Sequence, residues 1–235
     1  MMTPLQVCKK WKRLPKNYFT KTVDLVIDNK LFEAPGSNSG RSYQKQTKVR
    51  FTHRNRKEGL DPVHTKPDQK RHRKNLGAGV KILAGISANR IVVWEEVRGR
   101  WNGKQAAAMF NGVIKKALKK CRPRKNKHLV LEDNDPAGYK SKLAVAAKKA
   151  VGIKTLSLPP YSPDLNPLDY SIWDNIQRRM LQKHIDGYET RKAYVKRLRL
   201  TALRTPAKVI ADAMKDMKPR IKAVVEKKGD ALPKD

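Results

Sequence analysis

The feature that most constrains the fold is an alternation of apolar strands and amphipathic helices in the middle of the chain. Residues 79–97 contain two apolar runs on either side of a polar turn at Ser87–Arg90, which predicts a β-hairpin. A helix, a strand, a second helix and a further short strand follow in that order. Because strands that alternate with helices build sheets with parallel pairs, the sequence predicts an α/β fold.

Helical spacing and capping residues define the two central helices. In the first helix, apolar residues recur with helical periodicity, Asn102 is placed to cap the start, and Gln105 is placed to close a capping box. The apolar residues are Ala106, Met109, Phe110, Val113, Ile114 and Ala117. The second helix ends at Gly152, a residue type that favours helix C-termini. Both helices are therefore expected to bury one face.

The N-terminal part of the chain contains one strand and a long basic segment. Residues 22–28 are β-branched and apolar and end in Asp28, which predicts a buried strand. Residues 41–75 are polar and rich in Lys and Arg, which predicts a basic insertion loop after that strand. Within the loop, the residues expected to bind nucleic acid are Lys48, Arg50, Arg54, Arg56, Lys57, Arg71, Arg73 and Lys74.

Net charge indicates the class of partner. The chain has 54 Lys and Arg residues against 21 acids, a formal charge of +33, which favours a polyanion such as DNA. A basic ribosomal or chromatin protein would show the same excess. Cys8 and Cys121 have no disulfide or zinc spacing, and the absence of a membrane-spanning or secretory apolar run predicts an intracellular protein with no membrane partner.

Three carboxylates are predicted to lie at the ends of secondary-structure elements. Asp28 ends the first strand, and Asp133 ends the strand that begins near residue 127. Asp169 lies in the first turn of a helix that follows the proline-rich stretch LPPYSPDLNPLDYSIW at 158–173. In that stretch Asn166 is a good helix cap and Pro167 suits the first helical position. The prolines are expected to act as a rigid strut that fixes the position of Asp169.

Each acid also has an ordinary structural interpretation. Asp169 alone is typical of a helix start, Asp133 of a turn, and Asp28 of a solvated strand end. Asp24 lies on the same strand face as Asp28 and is the rival for the first position; Asp28 is preferred because it is predicted to end the strand. Glu132 and Asp164 are interpreted as structural.

Three converging carboxylates would repel one another unless divalent cations lay between them. Mg²⁺ prefers hard oxygen ligands and leaves room for phosphate. Two such ions, roughly 3.5–4 Å apart, can activate a nucleophile and stabilise the leaving oxygen of a phosphodiester. The sequence therefore predicts a site for two Mg²⁺ or Mn²⁺ ions, surrounded by a basic surface that holds DNA.

At these residues the sequence resembles the mariner-type transposases of the DDE/D superfamily. IDNKLF at 27–32, EDNDP at 132–136 and the proline-rich stretch at 158–173 resemble the three acidic motifs of the family, and the last is the most specific. The segments GAGVKILAGIS and MKPRIKAVVEKKGD also resemble family segments, so the match covers nearly the whole chain. Between Asp133 and Asp169 lie 35 residues, close to the family spacing.

The resemblance implies a ribonuclease H-like mixed sheet flanked by helices. It also implies Asp28, Asp133 and Asp169 as catalytic and metal-binding residues, cleavage at transposon ends, and transfer of the 3′-hydroxyl to target DNA. A homodimer, action on DNA in the nucleus, and no small-molecule substrate are expected. The expected division is an N-terminal helix and linker (1–20), a catalytic domain (21–185) and a basic helical C-terminal extension (186–235).

Some features depart from the family pattern. The N-terminal helix-turn-helix region is expected to be absent, Asn29 stands where an acid is common, and Asp135 stands where a small residue is common. A second hypothesis is therefore a truncated or decayed relic that binds DNA without cutting it. A third is a general ribonuclease H-like nuclease acting on RNA–DNA hybrids, which the proline-rich motif disfavours.

Overall fold

Five strands form one mixed sheet in the order β3-β2-β1-β4-β5. The computed structural model describes residues 2–32, 79–123, 125–182 and 189–232. The strands are β1 (Leu25–Phe32), β2 (Val80–Ser87), β3 (Arg90–Val97), β4 (His128–Glu132) and β5 (Ile153–Ser157). Strand β2 is antiparallel to β1 and β3, whereas β4 is parallel to β1 and β5. The predicted α/β fold with parallel pairs is confirmed.

Helices cover both faces of this sheet. The α-helices are α1 (Pro4–Lys12), α2 (Gly103–Met109), α3 (Lys115–Cys121), α4 (Lys142–Val151), α5 (Trp173–Gln182), α6 (Arg191–Leu203) and α7 (Ala207–Glu226). Shorter helical turns are π-helical at Tyr18–Thr22, Phe110–Ile114 and Leu168–Ile172, and 3₁₀ at Pro163–Leu165. The π turn at Phe110–Ile114 joins α2 directly to α3, and the π turn at Leu168–Ile172 leads directly into α5.

Side-chain alternation along β1 divides the core into two layers. Leu25 and Ile27 point into a cluster formed with α2, α3 and α4. Val26 points the other way, into a larger cluster formed with α1, α5, α6 and α7. Since neighbouring side chains on a strand alternate between faces, Asp28 lies on the same face as Val26. The fold thus directs one carboxylate of the central strand towards α5.

Strand β1 is longer than the sequence predicts. The expected strand ended at Asp28, but the observed strand continues to Phe32 because residues 29–32 pair with β2. Asp28 therefore lies inside the strand, and the prediction that it ends the strand is wrong. The polar Asn29 and Lys30 obscured this continuation, since their strand conformation depends on a partner roughly fifty residues away.

Capping predictions hold with one exception. The hairpin turn lies at Ala88 and Asn89, as expected, and Gly152 ends α4 with a left-handed φ of 76°. Asn102 caps α2 by accepting a hydrogen bond from the Gln105 amide at 3.1 Å. The predicted capping box is wrong, because the Gln105 side chain donates to the carbonyl of Arg98 instead.

The terminal helices belong to the same apolar core as the sheet. Buried residues of α1, α6 and α7 pack with those of β1 and α5 in one cluster. The division of the chain at residues 20 and 185 stays a prediction. In the ranges that the structure describes, no helix is long and apolar enough to cross a membrane.

Candidate active site

Asp28 is held in a buried position by α5, the helix that begins at Trp173, the last residue of the proline-rich stretch. Its side chain is only 9% exposed, and its Oδ2 accepts a hydrogen bond from Nε1 of Trp173 at 2.9 Å. The Trp173 ring packs in turn against the rings of Phe32 and Trp94, with centroids 5.6 and 6.1 Å away. Since aromatic packing fixes the indole, the hydrogen bond fixes the orientation of the Asp28 carboxyl group.

The electrostatic environment of Asp28 links it to the other two predicted site residues. Burial, and to a smaller extent the negative charges of Asp169 and Asp133, raise the pKa of Asp28 to about 7. The hydrogen bonds from Trp173 and the Asn29 backbone oppose this effect. Three acids that lie far apart in the sequence therefore interact electrostatically on one side of the sheet.

The proline-rich segment positions Asp169 through Asn166. The Asn166 side chain donates to Oδ2 of Asp169 at 2.9 Å and accepts from the Leu168 amide at 3.1 Å. The Asp169 amide donates to the Asn166 carbonyl at 2.9 Å. Asp169 lies inside the π-helical turn Leu168–Ile172, a type of turn that often marks functional sites. The expected capping role of Asn166 is confirmed.

Asp133 follows the last residue of β4 and is exposed. Its Oδ1 accepts a hydrogen bond from the Asn134 amide at 2.6 Å. The Asn134 side chain donates to the carbonyl of Leu158, the first residue of the proline-rich segment. The start of that stretch is thus bonded to the neighbour of Asp133, and Asn166 within it is bonded to Asp169.

Glu132 points away from the three acids, as the alternation along β4 predicts. It is fully buried and pairs with Lys148 of α4, with 2.5 Å between Oε1 and Nζ. Burial raises the pKa of Glu132, and the charge of Lys148 opposes that increase. Lys148 also donates to the carbonyl of Tyr139 at 2.9 Å. This buried pair ties the end of β4 to α4 directly behind Asp133.

The two residues that depart from the family pattern have structural partners. The Asn29 side chain donates to the hydroxyl of Tyr139 at 2.9 Å, while its buried Oδ1 has no hydrogen-bond partner among the described residues. Asp135 accepts hydrogen bonds from Nε1 of Trp101 at 2.7 Å and from the Ala137 and Gly138 amides. Asp135 therefore acts as a turn residue that also satisfies a buried indole.

Asp24, the rival to Asp28 for the first position, is surrounded by basic side chains. Its carboxylate lies 3.2 Å from Nε of Arg122, 2.7 Å from Nζ of Lys125 and 3.7 Å from Nδ1 of His128. It also accepts a hydrogen bond from the Leu129 amide at 2.9 Å. Asp24 is therefore an ion-pairing group at the start of β1. This supports the choice of Asp28, although the strand-end reason given for that choice is wrong.

Asp164 has the structural role expected from the sequence. It is buried, and its Oδ2 accepts a hydrogen bond from the Leu232 amide at 3.0 Å. Its carbonyl accepts a longer hydrogen bond, at 3.5 Å, from Arg220 of α7. The proline-rich segment is thereby fastened to the C-terminal part of the chain.

The donor chemistry of Asp28, Asp133 and Asp169 fits a divalent cation. All three supply carboxylate oxygens, and a positive ion would offset both the burial and the repulsion that raise the pKa of Asp28. Among the residues with described positions, however, no three His, Cys, Asp or Glu side chains are gathered closely enough to hold an ion. Binding would therefore require these side chains to converge, and the exposed Asp133 has the most freedom to move.

Other predicted residues lie outside the described part of the chain. The eight Lys and Arg residues expected to bind nucleic acid all fall between residues 33 and 78, so their binding role stays a prediction. Trp173, which donates a hydrogen bond to Asp28, is a residue of the site that the sequence motifs alone did not identify. The position of Trp173, four residues after Asp169 on the same helical face, is the sequence signal that places it near the site.

Comparisons with known proteins identify the family and the fold of the chain. The sequence profile described as "DDE superfamily endonuclease" matches residues 43–191, which is more than half of the chain. The chain therefore belongs to the DDE superfamily of endonucleases. The matched region includes Asp133 and Asp169, whereas Asp28 precedes it. No curated protein matches the chain in sequence.

Solved structures of the Mos1 mariner transposase have the same fold as this DDE endonuclease chain. The Mos1 catalytic domain aligns with a TM-score of 0.69 at 13% identity, covering 98% of this chain and 94% of that one. The Mos1 catalytic domain with raltegravir and Mg aligns with a TM-score of 0.68 at 14% identity, covering 98% and 95%. A pre-cleavage Mos1 transpososome gives 0.70 at 15%, covering 98% of this chain and 63% of that one. The predicted ribonuclease H-like fold is confirmed.

Proposed function

We propose that this chain is the catalytic domain of a mariner-type transposase. In this proposal it cleaves DNA strands at transposon ends and transfers the resulting 3′-hydroxyl to target DNA, using Asp28, Asp133 and Asp169. The observation that carries the proposal is the environment of Asp28, a buried carboxyl group whose pKa is raised by both Asp169 and Asp133. Burying a carboxylate beside two like charges is unfavourable, and such an arrangement is typical of a functional site.

Two divalent ions, Mg²⁺ or Mn²⁺, would supply the activation of the attacking oxygen and the stabilisation of the leaving oxygen. Asp28 would offer a carboxylate of fixed orientation, because Trp173 donates to one of its oxygens. Asn166 would hold Asp169 in place, and Asp133 would complete the ligand set from the end of β4. Solved structures of the Mos1 catalytic domain with Mg and with Mn support the choice of ions.

The proposed partner is DNA, bound by the basic surface of a chain that carries a charge of +33. Mos1 has been solved with a left transposon end and in a strand transfer complex, which supports the same partner here. Assembly as a homodimer and action in the nucleus are further parts of the proposal. Analytical ultracentrifugation with and without DNA tests the first, and localisation of a tagged chain tests the second.

A relic that binds DNA without cutting it is the alternative. The Asn29 and Asp135 substitutions motivate it, although the hydrogen bonds of both residues give them structural roles that do not require a loss of activity. Such a relic would bind DNA in a salt-sensitive manner that needs no metal and survives Asp133→Ala.

Nicking of supercoiled plasmid tests the proposal. The wild-type chain is incubated with Mg²⁺, Mn²⁺ or chelator, beside Asp133→Ala and the control Asp174→Ala. Asp174 is an exposed acid of α5 that pairs with Arg178, so its removal should leave the site intact. We expect metal-dependent nicking that Asp133→Ala abolishes and Asp174→Ala retains. Nicking by Asp133→Ala at the wild-type rate would contradict the assignment, and salt-sensitive binding without nicking by any variant would favour the relic.

A further inference from the structure

Tyr161 is an aromatic residue that the fold holds entirely in solvent. Its side chain is 100% exposed, whereas the other exposed large apolar residues of the described chain do not exceed 53%. Most of its neighbours in the sequence are buried, including Leu158, Pro159 and Ser162, whereas Pro160 is half-buried and Pro163 is exposed. The ring of Tyr161 therefore gains nothing from the core of its own chain.

The backbone of Tyr161 adopts a conformation that favours glycine or asparagine. Its φ of 53° lies in the left-handed region, which is uncommon for a bulky side chain. Local hydrogen bonds hold this turn, since the Ser162 hydroxyl donates to the Pro160 carbonyl and the Leu165 amide donates to the Ser162 carbonyl, both at 3.1 Å. Strained residues in rigid loops often occur where a ligand is bound.

Anchors on both sides place the ring near the carboxylates. Leu158, three residues before Tyr161, is bonded to Asn134, the neighbour of Asp133. Asn166, five residues after it, is bonded to Asp169. Since an extended chain covers at most about 3.5 Å per residue, Tyr161 lies within roughly 10 Å of the first anchor and 18 Å of the second. The loop that carries the exposed ring is therefore bonded on both sides to residues next to the candidate active site.

We propose that Tyr161 stacks on an unpaired nucleobase of the DNA bound beside the three carboxylates. This inference rests on the proposed function, since it assumes that DNA occupies the site. Proteins that hold single-stranded nucleic acid combine a basic surface with exposed aromatic rings, because every base offers an aromatic face. A phosphate would use only the phenol hydroxyl as a hydrogen-bond donor and would leave the exposed ring face unused, and bases inside a duplex are already stacked. The ligand of Tyr161 is therefore an unpaired base at the end of a DNA strand.

Fluorescence measurements on short synthetic DNA test this role. The probes are a blunt duplex and the same duplex with a short 3′ overhang that carries 2-aminopurine at its first unpaired position. Binding is measured in chelator, so that cleavage cannot occur. The variants are Tyr161→Ala, Tyr161→Phe, which keeps the ring, and Tyr161→Gly, which suits the left-handed backbone. Leu203→Ala is the control, as it removes a residue of α6 that is 47% exposed.

We expect the wild type to prefer the overhang duplex and to change the 2-aminopurine emission. Tyr161→Ala and Tyr161→Gly should weaken binding to the overhang duplex roughly tenfold, within the range found for stacking on one base. Binding to the blunt duplex and its salt dependence should not change. Tyr161→Phe and Leu203→Ala should behave as wild type. The melting temperature of Tyr161→Gly should not fall, which separates base binding from a structural role.

Two results would overturn the inference alone: an unchanged overhang preference in Tyr161→Ala, or an equal loss of binding to both duplexes together with a lower melting temperature. If the wild type bound the blunt and overhang duplexes equally well, the inference would also fail, whereas the proposal that the chain binds DNA would stand. If the wild type bound neither duplex in a salt-sensitive manner, the proposed function and the inference would both fail.

Discussion

The indole Nε1 of Trp173 lies 2.9 Å from Oδ2 of Asp28, although the two residues are 145 positions apart in the sequence. Trp173 is the first residue of α5, and the π turn that leads into α5 contains Asp169. One continuous helical segment therefore orients the Asp28 carboxyl group and also carries a second acid of the site. Leu158, at the start of the proline-rich stretch that contains both residues, is bonded to the neighbour of Asp133, which connects the third acid to the same segment.

Replacing Trp173 with Phe should make metal binding require a higher pH. The change keeps an aromatic ring but removes the hydrogen bond that lowers the pKa of Asp28, so that pKa rises above its present value of about 7. Since the cation competes with the proton for this carboxylate, the acidic limb of the Mn²⁺ affinity profile should move upward by roughly one pH unit. Calorimetric titration of Mn²⁺ at several pH values measures this, and an unmoved limb would argue against the role of Trp173.

Asp28→Asn should stabilise the metal-free protein at neutral and higher pH. The pKa of Asp28 is raised in the folded state, so its ionisation opposes folding increasingly as the pH rises from about 4 to about 7. Above pH 7 the substitution should therefore raise the free energy of unfolding by up to ~4 kcal/mol, and near pH 4 by little. Thermal melting in chelator at both pH values tests the sign.

Bound metal should reverse the order of stability of the wild type and Asp28→Asn. Mn²⁺ at neutral pH should raise the melting temperature of the wild type, because binding to the folded state stabilises it, and should leave Asp28→Asn almost unchanged. If Asp28→Asn were less stable than the wild type in chelator at pH 8, this account of Asp28 would be wrong.

Much of the fold could be predicted from the sequence because its signals are local. The apolar periodicity of α2 and α3, the Asn102 cap and the glycine after α4 each depend on residues a few positions apart. The π-helical turns at Phe110–Ile114 and Leu168–Ile172 could not be predicted, since they differ from an α-helix by one residue in hydrogen-bond spacing and leave the apolar periodicity unaltered. One of them carries Asp169.

Asp24→Asn should lower stability without weakening metal binding. The carboxylate is fully buried and paired with Arg122 and Lys125, so the substitution should cost about 1–3 kcal/mol of unfolding free energy. Because Asp24 lies four residues before Asp28, about 13 Å along the strand, the Mn²⁺ affinity of the folded variant should equal that of wild type. Urea unfolding and Mn²⁺ titration measure the two effects. A large loss of Mn²⁺ affinity would restore Asp24 as a ligand.

Lys148→Met should destabilise the fold strongly through Glu132. The substitution leaves a buried carboxyl group without its cation, which costs about 3–5 kcal/mol when one partner of a buried pair is removed. Because the loss comes from the unpaired charge, the double variant Glu132→Leu with Lys148→Met should recover most of it. Urea unfolding of the single and double variants makes this comparison. A double variant no more stable than Lys148→Met would contradict the explanation.

The candidate site was only partly predictable, since its defining contacts are long-range. Motif positions identified the three acids, but the hydrogen bonds of Asn134 to Leu158 and of Trp173 to Asp28 follow from the tertiary arrangement. Asp24 and Asp28 share a strand face and cannot be separated by periodicity. The ion pairs that Asp24 forms with Arg122 and Lys125, about one hundred residues away, distinguish the two acids.

Mn²⁺ binding to the purified chain tests the central claim most directly. Electron paramagnetic resonance, which detects free Mn²⁺, gives the stoichiometry and affinity for the wild type, for Asp28→Asn, Asp133→Ala and Asp169→Asn, and for the control Asp174→Ala. The account predicts saturable binding of up to two ions that each of the three site variants weakens at least tenfold and the control retains. Equal Mn²⁺ binding by all five proteins would show that these three carboxylates do not form a metal site.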